Sequence, residues 1–290
     1  MTLSGPQYML ISAASFAGMG ALVKAAGIEG IPLMEILFAR AIVSLLLSLV
    51  DCWRLGINPL GHRRDLLLLR GIVGFLALSC FFYSMLHLPY AEATVVQYMH
   101  PIFTAFLAYL IIHEKTSKAT LVCIVFSMMG LIVMASPNLS MTAAQQLSGS
   151  GLAAGIAGAF GAGLAYTIVR KLSRTDHPSV IVLYFPLVCV PAALLVGFDQ
   201  FVMPQGSAWW VLIGVGVFTH GGQVSLTRAM AVDSASRSAS LSYIQIVFAA
   251  VLGFIGFGEI PARTTVLGAA LILFGAWSNI RLTKRTQFNQ

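Results

Sequence analysis

The feature that constrains this chain most is a succession of ten apolar runs, each about twenty residues long, separated by short polar gaps. The runs cover residues 7–25, 33–53, 66–87, 93–113, 119–135, 151–170, 179–197, 208–231, 238–257 and 264–282. A run of that length crosses the hydrocarbon core of a bilayer as a helix, the form in which every backbone N–H and C=O is satisfied internally. Charged residues make up 9% of the chain, against about 25% in an average soluble domain. So little charge cannot coat a water-facing surface, and the chain is expected to be an all-α integral membrane protein with ten transmembrane helices. Pro32, Pro59, Pro89, Pro137, Pro178, Pro204 and Pro261 fall in the gaps or at helix starts, as helix punctuation should.

The positive charge follows topology, not a nucleic-acid surface, because basic residues punctuate the runs instead of forming one tract. With the N-terminus inside, Arg54, Arg63, Arg64 and Arg70 flank one cytoplasmic loop, Lys115 and Lys118 the next, Arg170, Lys171 and Arg174 a third, and Arg228 and Arg237 a fourth. Arg281, Lys284 and Arg285 then lie in the tail, and only Lys24, Arg263 and the embedded Arg40 fall elsewhere. The positive-inside rule places both termini in the cytoplasm and the chain in a bacterial inner membrane. The first basic residue is Lys24, so the first run lacks the basic flank of a signal peptide and is expected to remain as helix 1. Cys52, Cys80, Cys123 and Cys189 lie in apolar runs without metal-site spacing and read as small core residues.

The chain repeats itself at an offset of 145 residues without a gap. Tyr98 meets Tyr243, Phe103 meets Phe248, Ala105 meets Ala250, Glu114 meets Glu259, Thr120 meets Thr265, and Gly130 meets Gly275. Residues 1–136 and 151–282 are thus two five-helix repeats, joined by a neutral linker at 137–150 and followed by a tail at 283–290. Because five is odd, the second repeat must enter the membrane from the opposite side. Two inverted repeats are a recurrent plan of secondary transporters, whose halves exchange conformations to face alternate sides.

Helix 6 carries Gly151, Gly155, Ala159 and Gly163 at i, i+4, and helix 1 carries Ala13, Ala17, Ala21 and Ala25. Such faces admit a close neighbouring backbone, either as fixed packing or as surfaces that slide. Glu114 and Glu259 end helices 4 and 9 just before the expected helix starts Thr116 and Thr264. There a carboxylate either complements the next helix's dipole or couples transport to protons.

Ionisable and polar residues inside the runs are the candidate site, since a bilayer penalises them unless they face a cavity or a partner. Arg40 lies about two turns into helix 2, and either binds an anionic substrate group or pairs with Glu35. Lys24 is expected to snorkel to the outer interface. A second set, in helices 3, 4, 8 and 9, comprises Tyr83, Gln97, Tyr98, His100, His220, Gln223, Arg228, Tyr243 and Gln245, with Tyr166 as a further aromatic candidate. Within helices, Gln97 shares a face with His100 and His220 with Gln223. Across the repeat, His100 matches Gln245 and Tyr83 matches Arg228. Pro101 frees a backbone carbonyl in mid-helix, which is tolerated where it lines a cavity. Imidazole is the side chain whose ordinary titration lies nearest neutral pH, so with His100 and His220 among the candidates protons join the expected partners.

These segments resemble the drug/metabolite transporter superfamily, specifically its EamA-type ten-helix exporters. The carriers of the likeness are Leu37-Phe-Ala-Arg40 and the paired stretches His100 to Glu114 and Gln245 to Glu259, each followed by a glycine-containing apolar helix. The resemblance implies a basket of ten helices around a central cavity, lined by helices 1, 3, 4, 6, 8 and 9 and worked by alternating access. Leu88-Pro-Tyr-Ala-Glu-Ala-Thr94 is similar to the branch that includes S-adenosylmethionine carriers and exporters of amino-acid-derived metabolites. The second repeat departs from the pattern, with Ile246 where Pro101 stands.

Rival functions lack their signatures. His113-Glu-Lys-Thr-Ser is not His-Glu-x-x-His, and Gly214-Val-Gly216 lacks the rest of a dinucleotide fingerprint. No ring of pore charges or carbonyl filter suggests a channel. The expected activity is movement of a small polar metabolite, amino-acid-like, zwitterionic or anionic, more in the manner of export. Uptake or exchange of an S-adenosylmethionine-like, aromatic or cationic compound is the alternative. No cofactor, metal or nucleic acid is expected, and the chain is expected to act as a monomer or a homodimer.

Overall fold

A computed structural model describes residues 3–88, 90–136, 148–197, 199 and 201–288. They form twelve helical segments: α1 (Gly5–Ile28), α2 (Leu33–Arg54), α3 (Arg64–His87), α4 (Tyr90–Gln97), α5 (His100–Ile112), α6 (Lys118–Ala135), α7 (Gly149–Leu172), α8 (Pro178–Gly197), α9 (Ala208–Val232), α10 (Ala235–Leu241), α11 (Ile244–Phe257) and α12 (Arg263–Phe288). Most of the expected linker, residues 137–147, lies outside the described residues, and the expected tail continues α12 as helix to Phe288.

Local sequence starts these helices. Ser4 and Gln7 form a capping box ahead of Pro6 in α1. Ser117 accepts from Thr120 N at 3.1 Å to cap α6, Ser148 accepts from Gly151 N at 3.3 Å to cap α7, and Ser234 accepts from Arg237 N to cap α10. Each satisfies an amide that the helix itself leaves unpaired.

By length and apolarity nine segments among the described residues can cross a membrane, with α4–α5 and α10–α11 each counting as one. The tenth expected span is α9, 25 residues long, whose His220, Gln223 and Arg228 dilute its hydropathy. It is nonetheless a full member of the bundle, packed on α1 and α2 as its repeat mate α3 packs on α7 and α8. The α2–α8 pair closes one flank of the bundle and the α6–α12 pair the other, with α1, α3, α7, α9 and the broken spans between them.

The repeats are inverted. Gly5, at the start of α1, is so close to the end of α9 that a Cβ on it would lie 2.7 Å from Asp233 Oδ2. Arg170, near the end of α7, reaches the same place, donating to Met230 O at 2.7 Å. One helix begins where its repeat mate finishes.

The 145-residue register is visible in the backbone. His113 and Gly258 both close their helices in the left-handed region, at φ 55° and 66°. The next amides, Glu114 N and Glu259 N, donate to the equivalent carbonyls Ala108 O at 3.1 Å and Gly253 O at 3.2 Å. Spans 4 and 9 break within one residue of the same register, at 98–99 and at 242–243. Since the second break has Ile246 in place of Pro101, proline is not its cause. The two breaks hold each other instead: Tyr243 donates its hydroxyl to Tyr98 O at 2.7 Å, and the two rings stack 5.9 Å apart.

The small-residue ladder of α7 is a packing face. A Cβ on Gly151, Gly155 or Gly163 would meet His87, Ser84 or Phe103 within 2.9 Å, so α3 and α5 lie directly on that backbone. In the α1 ladder Ala13 and Ala17 are both buried, and Ala17 and Ala21 line a cavity. Cys52, Cys123 and Cys189 are buried and Cys80 is half-buried, all as free thiols.

Candidate functional site

The centre of the bundle holds two arginines around one aromatic ring. The guanidinium carbon of Arg70 lies 4.9 Å, and that of Arg40 5.8 Å, from the centroid of Phe185 on α8. Arg70 is 4% exposed. It donates from Nη2 to Gln223 Oε1 at 3.1 Å, while its Nε and Nη1 are buried without a partner. Arg40 is half-buried, and its Nη1 donates to the soft sulfur of Met19 at 3.9 Å.

The acids of α2 are committed elsewhere. Glu35, expected as a partner for Arg40, accepts from Val202 N at 2.8 Å, which pins the α8–α9 connection to α2. Asp51 faces His220 Nε2 at 3.1 Å, whose Nδ1 meets Ser48 Oγ at 3.3 Å. No ion pair among the described residues includes Arg40 or Arg70.

From this pair a line of rings leads towards the repeat axis. Tyr166 stands edge-on to His100 at 5.2 Å, and His100 lies 5.9 Å from Tyr98. His100 is held from both sides, by Gln97 O at 3.1 Å and Ser242 Oγ at 3.3 Å. Gln97 Oε1 is buried and unpaired. Beyond Tyr98 a cavity of about 760 Å³ opens between α1, α3, α4, α6, α11 and α12, with Thr94, Tyr98, Gln245, Thr265, Lys24 and Glu259 as its polar lining.

The two ends of the bundle differ. At one end Glu114 is wrapped: Arg170 Nε donates to it at 2.6 Å, Arg174 Nη2 at 3.3 Å and Ala235 N at 3.0 Å. There α10 is wedged against α5, α6 and α7. Asp233 pairs with Arg237 at 2.8 Å, and Arg237 also donates to Asn279. Burial raises the Asp233 carboxyl above its ordinary range, against the pull of Arg237. At the other end the repeat mate Glu259 pairs with Lys24, which lies 4.4 Å over the Phe257 ring. That pair lines the cavity mouth, and its side chains are 44% and 58% exposed, against 16% and 13% for Arg170 and Glu114.

Several expectations need correction. Arg70 is no loop cation but a buried member of the central cluster; the apolar run that contains it starts four residues earlier, which is the signal that was available. Tyr83 is 43% exposed and stacks on His87 at 4.0 Å, and Arg228 is exposed, so neither joins the cluster. His220 shares a helix with Gln223 but faces α2 instead of the arginines. Glu114 does not cap the helix that follows it, which belongs to Ser117; it caps α10, in the other repeat. Lys24 does not snorkel freely but pairs with Glu259. The motif at 88–94 falls mostly on Pro89 and on the side chains of residues 90–92, outside what is described.

The profile of the EamA-like transporter family matches this chain twice, over residues 3–136 and 149–281. The chain is similar to the pseudopaline exporter CntI of Pseudomonas aeruginosa, with 32% identity over 93% of each chain. It is also similar to the riboflavin transporter of Vibrio cholerae, with 25% identity over 93% of this chain and 91% of that one. Solute carrier family 35 member G1 of Homo sapiens is 28% identical, over 92% of this chain and 76% of that one. A solved crystal structure superposes with a TM-score of 0.82 at 18% identity, covering 97% of this chain and 98% of its own, which shows a shared fold. The doubled profile, the two repeats and the relatives agree that the chain belongs to the EamA-like transporter family, as a multi-pass membrane transporter of a small molecule and not an enzyme.

Proposed function

We propose that this transporter exports a small carboxylate-bearing metabolite across the inner membrane by alternating access, with Arg40 and Arg70 as its anion receptor. The observation that carries the reading is a pair of guanidiniums in the middle of a membrane bundle with no carboxylate partner among the described residues. A charge within a membrane bundle is costly unless it is paired, and a protein that keeps one buried and one half-buried guanidinium there has a use for a counter-charge from outside. Tyr166, His100 and Tyr98 offer ring faces and hydrogen-bonding edges for the rest of an amino-acid-like molecule.

Export is supported by the relative named as a pseudopaline exporter. The cytoplasmic placement of both termini rests on the basic loops, which without Arg70 still hold Arg54, Arg63, Arg64, Lys115 and Lys118. In that orientation the Glu114 end faces the cytoplasm and is shut, and the cavity opens outward. The test is flux in proteoliposomes loaded with a panel of amino-acid-like carboxylates. Arg40→Gln should abolish carboxylate flux while leaving the melting curve and chromatographic profile of the protein intact. Unchanged kinetics in that variant would sink the anion reading.

A further inference from the structure

We infer that the transported species carries two negative groups, one for each arginine. The inference rests on the anion reading above and narrows it. Arg40 on α2 and Arg70 on α3 sit on one ring, Phe185, within 5.8 Å of its centre, so their like charges are held close together in a poorly solvated place. The ring face compensates each cation in part, and Gln223 occupies one amino group of Arg70. What remains is a double positive charge and the unpaired N–H groups on Nε and Nη1 of Arg70.

A monoanion would leave the loaded centre with a net charge, and the two guanidiniums would still repel each other across a low dielectric. A dianion removes both costs, and each carboxylate receives its own charge-assisted hydrogen bonds. On α2 the acids that could neutralise Arg40 from within, Glu35 and Asp51, are held by Val202 N and by His220, and Asp65, the acid at the start of α3, pairs with Arg63.

Three probes of equal length separate charge from shape: glutarate with two carboxylates, its monoamide with one, and the diamide with none. Apparent affinities come from the dependence of the melting temperature of the full-length protein in detergent on probe concentration. Glutarate should bind about tenfold more tightly than the monoamide, the worth of one further charge-assisted contact, and the diamide should not bind. In Arg40→Gln, and equally in Arg70→Gln, the preference should fall below about threefold, whereas the exposed Arg64→Gln should keep it. Where a Gln variant does not fold, the charge-retaining Arg→Lys variant should preserve the glutarate preference. Glutarate and monoamide within threefold of each other in the unaltered protein would overturn the dianion inference and leave the anion reading standing. Absence of stabilisation by either carboxylate would overturn both.

Discussion

His113 is the one non-glycine residue among those described with positive φ, at 55°, and its repeat mate shows what the position wants. In the second repeat the same left-handed turn is made by Gly258, at φ 66°. A side chain in this region costs about 1–2 kcal/mol that glycine does not incur. The His113 side chain is exposed, so replacing it removes no packing. His113→Gly should therefore raise stability by about 0.5–1 kcal/mol, read as a higher melting temperature in detergent; a lower one would mean that the imidazole has a structural partner.

The same residue scale shows what a single sequence discloses. The 145-residue register led to Tyr98 and Tyr243 because both repeats retain tyrosine there, and the pair does meet. It paired Tyr83 with Arg228, which share an offset but not an orientation, since position along a helix leaves the facing direction open. Arg70 is hidden for the converse reason: it follows the flanking cations Arg63 and Arg64 at the first turns of α3, where helix tilt decides between interface and interior. Ion pairs such as Lys24 with Glu259 join residues far apart in sequence, and no local pattern could announce them.

At the scale of elements, the spans were legible because lipid demands long apolar helices, while the breaks in spans 4 and 9 were only half legible. Pro101 suggested the first, but nothing in Ile246 suggested the second. What the structure places there is a tertiary contact, the stacked and hydrogen-bonded pair Tyr98 and Tyr243. The glycines sort in the same way. Gly130 on α6 faces α12 so closely that a Cβ would lie 2.5 Å from Gly268 O and 2.9 Å from Ile272 Cγ1. Backbone cannot yield as a side-chain end can, so Gly130→Ala should force the helices apart and cost about 1–3 kcal/mol. Gly20 on α1 lines the cavity with nothing within 4 Å of its built Cβ, and Gly20→Ala should be neutral or stabilising by up to about 1 kcal/mol. Thermal melts of the two variants check the pair; equal gains would show that helix propensity, not the α6–α12 crossing, governs both.

For the whole molecule, the two glutamates that end equivalent spans test whether the inverted halves occupy different states. The register makes Glu114 and Glu259 counterparts, and each ties its span to the first helix of the other repeat, Glu114 through Arg170 on α7 and Glu259 through Lys24 on α1. Their surroundings are unequal. Glu114 is mostly buried and also holds Ala235 N, the first amide of α10, whereas Glu259 stands open at the cavity mouth. Breaking a largely desolvated, multiply bonded carboxylate leaves arginine and amide donors unpaired, which costs about 1–3 kcal/mol. An exposed pair is screened by water and contributes about 0–1 kcal/mol. Glu114→Gln should therefore lower the melting temperature clearly and speed amide hydrogen exchange through 235–241, because the wedge at the shut end loses its anchor. Glu259→Gln should leave stability within about 0.5 kcal/mol and exchange in α10 untouched. If the two variants behaved alike, the two ends would be equally closed in the membrane and the asymmetry between the halves would not describe a transport state; if they differ in this direction, one family of equivalent contacts is buried and locked while its mirror image is exposed and loose, which is what an alternating carrier requires.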